Sequence, residues 1–523
     1  MKIMDKWGAI SITALFFVVA APTITRSILA TPDSLPSLIA TACLSMSLAL
    51  LLFSIKRWWI LALLTPIIFR LSSDETYTAA VFHEYLHAGN IVVTYYTTSQ
   101  ETQSYVANNP LAMYILMILV LLLIISVWAK KRSRNIQSRR IYCLAALLPI
   151  IAIITVGPHR LQAIPPCNFV LCTIEAWNFV INKQKAISQL ADTPIGVRRT
   201  QTPTERESYT LFIGESSTID HLSIAGYPRA TTPLLAKRDN LTLYTDYYSN
   251  ATLTMLSAPM MMSEATPENF FQAYSSPNIC RVFSESGFTV IALVSNNHLE
   301  TDIALTADAD TLIHLDSDIA IAHAIDSLTD IYPKTFFVAQ GLGSHAYFYN
   351  FEPQDNIFRP NPMSDTQSQN DSILYNAYDC TIHYTDRVLD SIIVAIDKPG
   401  MHSALLYASD HGENVNPTDV LRSVSTTPQA SEYHVPMIIW RSPRWVAHNP
   451  VKHQNIETNK DRPTNADNIY YTLCDLANIQ IPNHDKTRQM SVTSSTLKPH
   501  KRQLLTSDLK TIITLTSPCR HTP

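Results

Sequence analysis

Residues 404–413 read ALLYASDHGE, a short apolar run that ends in two acidic residues and a histidine. Such a run is typical of a strand buried in a parallel sheet. Helical stretches such as 381–396 alternate with further apolar runs of the same kind, at residues 209–213, 288–294, 335–339 and 437–440. Strands that alternate with helices predict an α/β domain with a mostly parallel central sheet.

Three of these predicted strands lead into side chains of the types that bind metals. Glu215 follows the first run, His345 follows the third, and Asp410 and His411 follow the run quoted above. In open α/β sheets, ligands bind beyond the carboxyl ends of the strands. A single carboxylate at a strand end is more commonly a helix cap, but two carboxylates and a histidine together are zinc ligands. The pattern predicts a zinc-like site with an open position.

The composition argues against a purely soluble protein. Of the 523 residues, 46% are hydrophobic and only 16% are charged, compared with about 25% charged in soluble globular chains. So many apolar residues also exclude a disordered chain. The formal net charge is −4, and this makes nucleic acid an improbable partner.

The apolar residues are concentrated before residue 158. Five uncharged segments there predict membrane-spanning helices, at residues 7–25, 35–55, 58–69, 111–129 and 141–157. Basic residues crowd the loop between the fourth and fifth segments, precede the first, and lie between the second and third. By the positive-inside rule these stretches are cytoplasmic, and five spans then place the rest of the chain outside. Four later spans argue against a cleaved signal peptide.

The sequence thus predicts three parts: a membrane domain at 1–157, a bridge at 158–207 and an external domain at 208–523. Within the bridge, an apolar run with aromatics suits a helix on the membrane surface, and polar, Pro-bearing sequence at 193–208 predicts a linker. Six cysteines lie outside the membrane domain: Cys167, Cys172, Cys280, Cys380, Cys474 and Cys519. They could form up to three disulfides or remain buried thiols.

A second candidate metal site lies between the third and fourth spans. The segment His83-Glu84-Tyr85-Leu86-His87 matches the H-E-x-x-H pattern of zinc peptidases, in which a helix places two histidines one turn apart. A third ligand would be needed, and Glu101 is the nearest candidate. Because five-residue matches with two free positions arise by chance, we expect a structural or lipid-facing helix here instead.

Several motifs together resemble the membrane-bound phosphoethanolamine transferases, which belong to the alkaline phosphatase and sulfatase superfamily. The resemblance covers essentially the whole chain, because the family also has five spans before its catalytic domain. The motifs that carry it are GESS at 214–217, IAGYPRATTP at 224–233, GSH at 343–345, YTD at 384–386, SDHGE at 409–413 and VPMIIW at 435–440.

The resemblance implies a zinc enzyme that transfers phosphoethanolamine from phosphatidylethanolamine to lipopolysaccharide or lipooligosaccharide. The acceptor would be lipid A or a core heptose. In the matching loop at 249–259, the implied nucleophile is Thr254, and Thr252 is the alternative. The implied zinc ligands are Glu215, Thr254, Asp410 and His411.

The resemblance also implies substrate contacts and a location. His345 would bind the phosphoethanolamine group or a second zinc ion, and Glu101 loosely matches a substrate-lining acidic residue of the family. The protein would lie in the bacterial inner membrane as a monomer in contact with membrane lipids, and its catalytic domain would be in the periplasm.

The chain departs from the family at two places. Residues 414–430 contain no histidine, where many relatives have one that completes a second metal pocket; the nearest candidate is His434. Asn250 and Met260 stand where lipid A-modifying members have a cysteine pair. The first departure leaves the number of zinc ions open, and the second favours the core-heptose subgroup.

Three other functions are alternatives. A phosphoglycerol transferase or phosphodiesterase of the same superfamily would use the same threonine but a different donor. A membrane zinc peptidase would depend on His83, Glu84 and His87, and a non-catalytic sensor would tolerate the loss of Thr254. The chain lacks the C-x-P-S-R nucleophile motif of true sulfatases, which argues against sulfate-ester hydrolysis.

Overall fold

The computed structural model describes residues 5–515, except 31–32, 98, 134–138, 158–159, 161–163, 166, 192, 202–205, 296–305, 346–349, 362–370, 416–425, 483 and 500. The chain divides into two compact units, Met1–Val180 and Ile181–Pro523. The first unit is helical and the second is built around a sheet.

The first unit consists of apolar helices joined by short connections. Its helices are Lys6–Leu29, Leu35–Ser54, Trp58–Val81, Ala88–Tyr96, Ser99–Asn108, Pro110–Arg132 and Arg139–Val156, and Cys167–Gln189 begins in it. Three of these, Lys6–Leu29, Leu35–Ser54 and Pro110–Arg132, are long and apolar enough to cross a membrane, and Ile141–Val156 is a shorter apolar helix. Each predicted span coincides with a helix or with the start of one.

Small hydroxyl side chains join these helices. Ser11 Oγ lies 3.0 Å from Ser126 O, and Ser47 Oγ donates to Ala145 O at 2.7 Å. Hydrogen bonds of this kind, together with small residues that allow close approach, hold helices together where the surroundings are as apolar as the helices themselves.

The segment from His83 to His87 is not helical, contrary to the sequence-based expectation. The preceding helix ends at Val81, and His83 has a left-handed φ of 58°. His87 then caps the helix Ala88–Tyr96, and its backbone N–H donates to the Asn90 side chain at 2.9 Å. The segment therefore lacks the helical spacing that the H-E-x-x-H motif of peptidases requires.

The second unit contains thirteen strands in its described part. They are β1 Arg198–Arg199, β2 Glu207–Gly214, β3 Leu241–Tyr244, β4 Tyr247–Tyr248, β5 Thr289–Ser295, β6 Thr311–Leu315, β7 Lys334–Gln340, β8 His402–Ser409, β9 Met437–Arg441, β10 Thr464–Asn465, β11 Ile479–Gln480, β12 Arg502–Leu505 and β13 Ile512–Leu515.

Seven of these strands form the central sheet, in the order β3-β9-β8-β2-β7-β5-β6. Strand β9 is antiparallel to both of its neighbours, and the other neighbouring pairs are parallel. The sheet confirms the predicted mostly parallel α/β architecture, and β2, β5, β7, β8 and β9 coincide with the five predicted strands. Sequence analysis missed β3 and β6, the two edge strands.

Helices cover the sheet and complete the unit. The described ones are Thr254–Met261, Gln272–Ser275, Ile279–Glu285, Asp318–Ile331, Asp371–Ile396, Pro443–His448, Pro450–Asn459, Asp467–Leu476 and His484–Met490. Asp318–Ile331 and Asp371–Ile396 pack against each other. Their apolar side chains share one buried cluster with Phe212 of β2 and Phe337 of β7.

Two predictions can be compared with the structure here, the linker at residues 193–208 and the possible disulfides. Within the predicted linker, Arg198–Arg199 forms a strand that pairs with Ile479–Gln480. No two described cysteines are joined by a disulfide, and the buried-thiol alternative is favoured for the four that are buried, Cys172, Cys280, Cys380 and Cys474. Cys519 lies outside the described residues. Burial raises the pKa of the Cys380 thiol, as expected for a structural cysteine.

Candidate functional site

Strands β2 and β8 bring three predicted metal ligands together. The strands are parallel neighbours, and Gly214 lies opposite Ser409 at their carboxyl ends. Glu215 and Asp410, each the next residue, are therefore adjacent, and Asp410 N donates to Gly214 O at 3.0 Å. Glu215, Asp410 and His411 are buried, and their ligand atoms lie within 4.8 Å of one another. No other described residues form such a group.

Thr254 completes this cluster. It is the first residue of the helix Thr254–Met261, and its Oγ1 donates to Glu215 Oε2 at 3.0 Å and lies 3.4 Å from His411 Nε2. The alternative nucleophile Thr252 is fully buried, and its hydroxyl has no hydrogen-bond partner among the described residues. The geometry therefore favours Thr254 over Thr252 as the hydroxyl of the site.

The loop after β2 is held in a conformation that aims Glu215 at the cluster. Ser216 has a left-handed φ of 57°, and its N–H donates to Asp410 Oδ1 at 3.1 Å. Gly343, with a φ of 48°, packs so closely on this loop that a Cβ there would lie 2.7 Å from Glu215 O. A left-handed residue other than glycine, and a glycine in backbone contact, are features of a tightly constrained site.

The orientation of His411 leaves one ring nitrogen for the cluster. Its Nδ1 lies 2.9 Å from Gly412 O, an acceptor that fixes the proton on Nδ1. Its Nε2 lies 3.3 Å from Glu215 Oε1 and 3.6 Å from Asp410 Oδ2. Metal-binding histidines commonly hold their other nitrogen in this way.

The charges in the cluster favour a bound cation. Burial and the neighbouring Glu215 carboxylate raise the pKa of Asp410. Burial lowers the pKa of His411, but the charges of Asp410 and Glu215 outweigh it and raise that pKa to about 9. Two carboxylates that are desolvated side by side are costly unless a cation lies between them.

The donor set fits zinc. It offers two carboxylates, one imidazole nitrogen and one hydroxyl, which are oxygen and nitrogen ligands of the types zinc accepts. Asp410 Oδ1 accepts the N–H groups of Ser216 and His411. Its Oδ2 is buried without a hydrogen-bond partner in the part of the chain that the structure describes. That oxygen is therefore left to bind an ion.

Polar contacts fix the loop that carries Thr254. Ser249 Oγ hydrogen-bonds to the carbonyl oxygens of Ala251, at 2.7 Å, and Asp410. Asn250 is fully buried, and its Nδ2 donates to Asp467 Oδ1 at 2.5 Å. Sequence analysis did not identify these contacts, because nothing local indicates that Asn250 meets a residue so distant in the chain.

His345 and His434 are not members of this cluster. His345 is partly buried and is not in the three-residue cluster, although the adjacent Ser344 N donates to Glu215 O at 2.9 Å. His434 Nε2 lies 2.8 Å from Thr245 O, away from the cluster. Glu101 lies in the helix Ser99–Asn108, and its side chain is outside the described residues.

Comparison with known proteins identifies the family. The profile described as Sulfatase matches residues 208–479, more than half of the chain. The chain belongs to the sulfatase family. Phosphoethanolamine transferase EptC of Escherichia coli K12 is 24% identical to this sulfatase-family chain over 336 residues, 60% of this chain and 57% of that protein. The chain spans about half the length of the curated relatives it matches first.

Solved structures agree on the fold. The membrane protein lipooligosaccharide phosphoethanolamine transferase A from Neisseria meningitidis superimposes with a TM-score of 0.72 at 18% identity, over 92% of this chain and 97% of that one. A zinc complex of the periplasmic domain of Escherichia coli EptC gives a TM-score of 0.53 at 22% identity, over 62% of this chain and 96% of that one. These likenesses confirm the sulfatase-like fold, and the curated relatives confirm the resemblance to phosphoethanolamine transferases.

Proposed function

We propose that this sulfatase-family protein is a zinc-dependent phosphoethanolamine transferase with Thr254 as nucleophile. The observation that carries the proposal is the position of the Thr254 hydroxyl, which donates to Glu215 beside His411 in a buried cluster of metal-binding type. The names of the relatives support the same reaction, since EptC and EptA are phosphoethanolamine transferases.

Glu215, Thr254, Asp410 and His411 would hold one zinc ion. When bound, zinc would lower the pKa of the threonine hydroxyl and withdraw charge from the phosphoryl oxygens. Glu215 Oε2 accepts the hydrogen bond of this hydroxyl and is placed to accept its proton. The short loop between Ser249 and Thr254 keeps the nucleophile fixed during this step.

The reaction proceeds in two displacements at phosphorus. Thr254 Oγ1 attacks the phosphorus of phosphatidylethanolamine, and the bond from phosphorus to the glycerol oxygen breaks. The proton that Glu215 accepted from Thr254 passes to that oxygen, and diacylglycerol leaves. A hydroxyl or phosphate oxygen of the acceptor then attacks the phospho-threonine. The bond to Thr254 breaks, the proton of the attacking oxygen passes to Thr254 Oγ1, and phosphoethanolamine passes to the acceptor.

Two further residues would contact the substrates. His345 would bind the phosphoethanolamine group, because it follows β7 at the carboxyl edge of the sheet, where Glu215 and Asp410 also lie. Glu101 would line the path of the lipid substrate. The acceptor would be lipid A or a core heptose of lipopolysaccharide or lipooligosaccharide.

The proposed location is the bacterial inner membrane, with five spans in residues 1–157, a bridge at 158–207 and a periplasmic catalytic domain at 208–523. In the helix Cys167–Gln189, four apolar side chains are exposed along one side: Val170, Ile174, Trp177 and Ile181. An exposed apolar stripe that includes a tryptophan suits the membrane interface. Both lipid substrates would then lie within reach of a membrane-bound enzyme.

The proposal is tested with the purified full-length protein in vesicles of phosphatidylethanolamine that contain lipooligosaccharide. We expect mass spectrometry to detect phosphoethanolamine on the acceptor with the wild type and with Thr252→Ala, and none with Thr254→Ala. Transfer from vesicles of phosphatidylglycerol instead would support the phosphoglycerol alternative. Transfer by Thr254→Ala at the wild-type rate would refute the proposed nucleophile.

A further inference from the structure

Asp318 is a buried carboxylate outside the metal cluster that collects four hydrogen bonds. It is 2% exposed and is the first residue of the helix Asp318–Ile331. Its Oδ1 accepts from Leu342 N at 2.8 Å and from Ser295 Oγ, and its Oδ2 accepts from Gly343 N at 2.9 Å and from Asn350 Nδ2 at 3.3 Å.

No cation pairs with Asp318 among the residues that the structure covers, so these donors and the amino end of its own helix offset its burial. A buried carboxylate needs such partners, and hydrogen bonds to a charged acceptor are roughly twice as strong as those between neutral groups. The donors come from distant parts of the chain, since Ser295 ends β5 and Leu342 follows β7. Asp318 therefore ties the loop after β7 to the end of β5.

This loop leads directly to two residues of the proposed site. Gly343, held by Asp318, packs on the backbone of Glu215, and the next residue, Ser344, donates to Glu215 O at 2.9 Å. His345 follows immediately, and its N–H donates to Leu342 O at 3.1 Å. The two amides bound by Asp318 therefore belong to the turn that presents His345.

We propose that Asp318 is a positioning residue of the transfer reaction: by binding the amides of Leu342 and Gly343, its carboxylate fixes the turn that carries His345 beside Glu215. The proposal rests on the function proposed above, in which His345 binds the transferred phosphoethanolamine. Asp318 touches neither the metal ligands nor Thr254, and it acts through the backbone alone.

The test variant is Asp318→Asn, which keeps the size of the side chain. Each carboxylate oxygen of Asp318 accepts one backbone N–H. In either orientation of the asparagine side chain, its NH₂ group therefore faces one of these N–H donors and that hydrogen bond is lost. The matched control is Asp386→Asn. Asp386 is also buried and also accepts two backbone N–H groups, from Leu234 and Leu235, both at 2.9 Å.

The kinetic readout compares transfer per zinc-loaded molecule in the same vesicles. We expect Asp318→Asn to lower kcat/KM about 10–100-fold, the size expected from a misplaced contact group, while Asp386→Asn stays near the wild type. The double variant Asp318→Asn/His345→Ala should be no slower than the slower single variant, because both changes remove the same contact, the one made by His345. Fully multiplicative effects, or equal losses in the two Asn variants, would overturn the proposal.

Amide hydrogen exchange tests the positioning without using the reaction. Asp318→Asn should speed exchange in the peptide 341–345 and leave 234–236 unchanged, and Asp386→Asn should do the opposite. If Asp318→Asn fails to fold, Ser295→Ala removes the Ser295 hydroxyl that donates to Asp318 Oδ1 and should loosen 341–345 to a smaller extent. Unchanged exchange at 341–345 refutes the positioning role, whereas a wild type without transfer activity refutes only the proposed function.

Discussion

At the scale of single residues, the protonation of His411 links metal binding to pH. Because nearby carboxylates raise its pKa to about 9, the imidazole without metal is protonated at neutral pH, and zinc must displace that proton. We expect the apparent zinc affinity to rise by about tenfold per pH unit between pH 7 and 9. A competition assay with a coloured chelator measures this slope.

The control for this prediction is His434→Ala. His434 lies outside the cluster, with its Nε2 at 2.8 Å from Thr245 O, so its removal should leave the slope unchanged. A zinc affinity of the wild type that is flat from pH 7 to 9 would contradict the raised pKa of His411 in the site without metal.

Some site residues could be predicted from local sequence patterns and others could not. Glu215, Asp410 and His411 could be identified because all three lie within two residues of the end of a buried strand, and parallel strands end at one edge. Thr254 is at a helix start, where a threonine is commonly a cap, so only the family resemblance singled it out. The importance of Asp318 depends on a loop that starts 24 residues later, and no local pattern reports such a contact.

At the scale of elements, Gly343 is predicted to be required for zinc binding. Gly343→Ala places a Cβ 2.7 Å from Glu215 O and 3.0 Å from Glu215 N, which must displace Glu215, a proposed zinc ligand. We expect zinc affinity to fall about 10–100-fold, as is typical when support for a ligand is removed. Gly400→Ala is the matched control, because Gly400 also has a positive φ but a Cβ there meets nothing within 4 Å.

Isothermal titration with zinc separates the two variants. Both should lose some stability, because alanine is strained at a positive φ, but only Gly343→Ala should bind zinc more weakly. Equal zinc affinities in the two variants would contradict the proposed contact between the loop after β7 and Glu215.

The loop that carries Thr254 gives a second prediction at this scale. Asn250→Ala removes the hydrogen bond to Asp467 and should lower the free energy of unfolding by about 1–3 kcal/mol, and it should also lower kcat. Asn459→Ala is the control: Asn459 is 2% exposed and donates to Val492 O and Ser494 O. Urea denaturation should show that Asn459→Ala loses a similar amount of stability to Asn250→Ala. The transfer assay should show that the kcat of Asn459→Ala is normal.

Which elements could be predicted depends on how deeply they are buried. The five predicted strands are apolar runs buried almost throughout, whereas the edge strand β6 is largely exposed and carries Thr311 and His314 among its apolar residues. The helix expected at residues 83–87 was wrong for a local reason. The left-handed His83 ends one helix, and the Asn90 side chain caps the next.

At the scale of the whole molecule, the basic residues of the first unit predict its orientation in the membrane. A reporter enzyme that needs disulfides should be inactive when fused after residue 56 or 133 and active after residue 90 or 207. The reason is that only the latter points would face the oxidising compartment. Activity after residue 133, or inactivity after residue 207, would contradict the proposed topology.

The central claim is that Thr254 accepts phosphoethanolamine from a lipid. Intact-protein mass spectrometry of the zinc-loaded full-length protein, incubated with phosphatidylethanolamine and no acceptor, tests it directly. We predict a single phosphoethanolamine adduct on the wild type, located on Thr254 by fragmentation, and none on Thr254→Ala. An adduct of equal abundance on Thr254→Ala, or none on a wild type shown to contain zinc, would contradict the account.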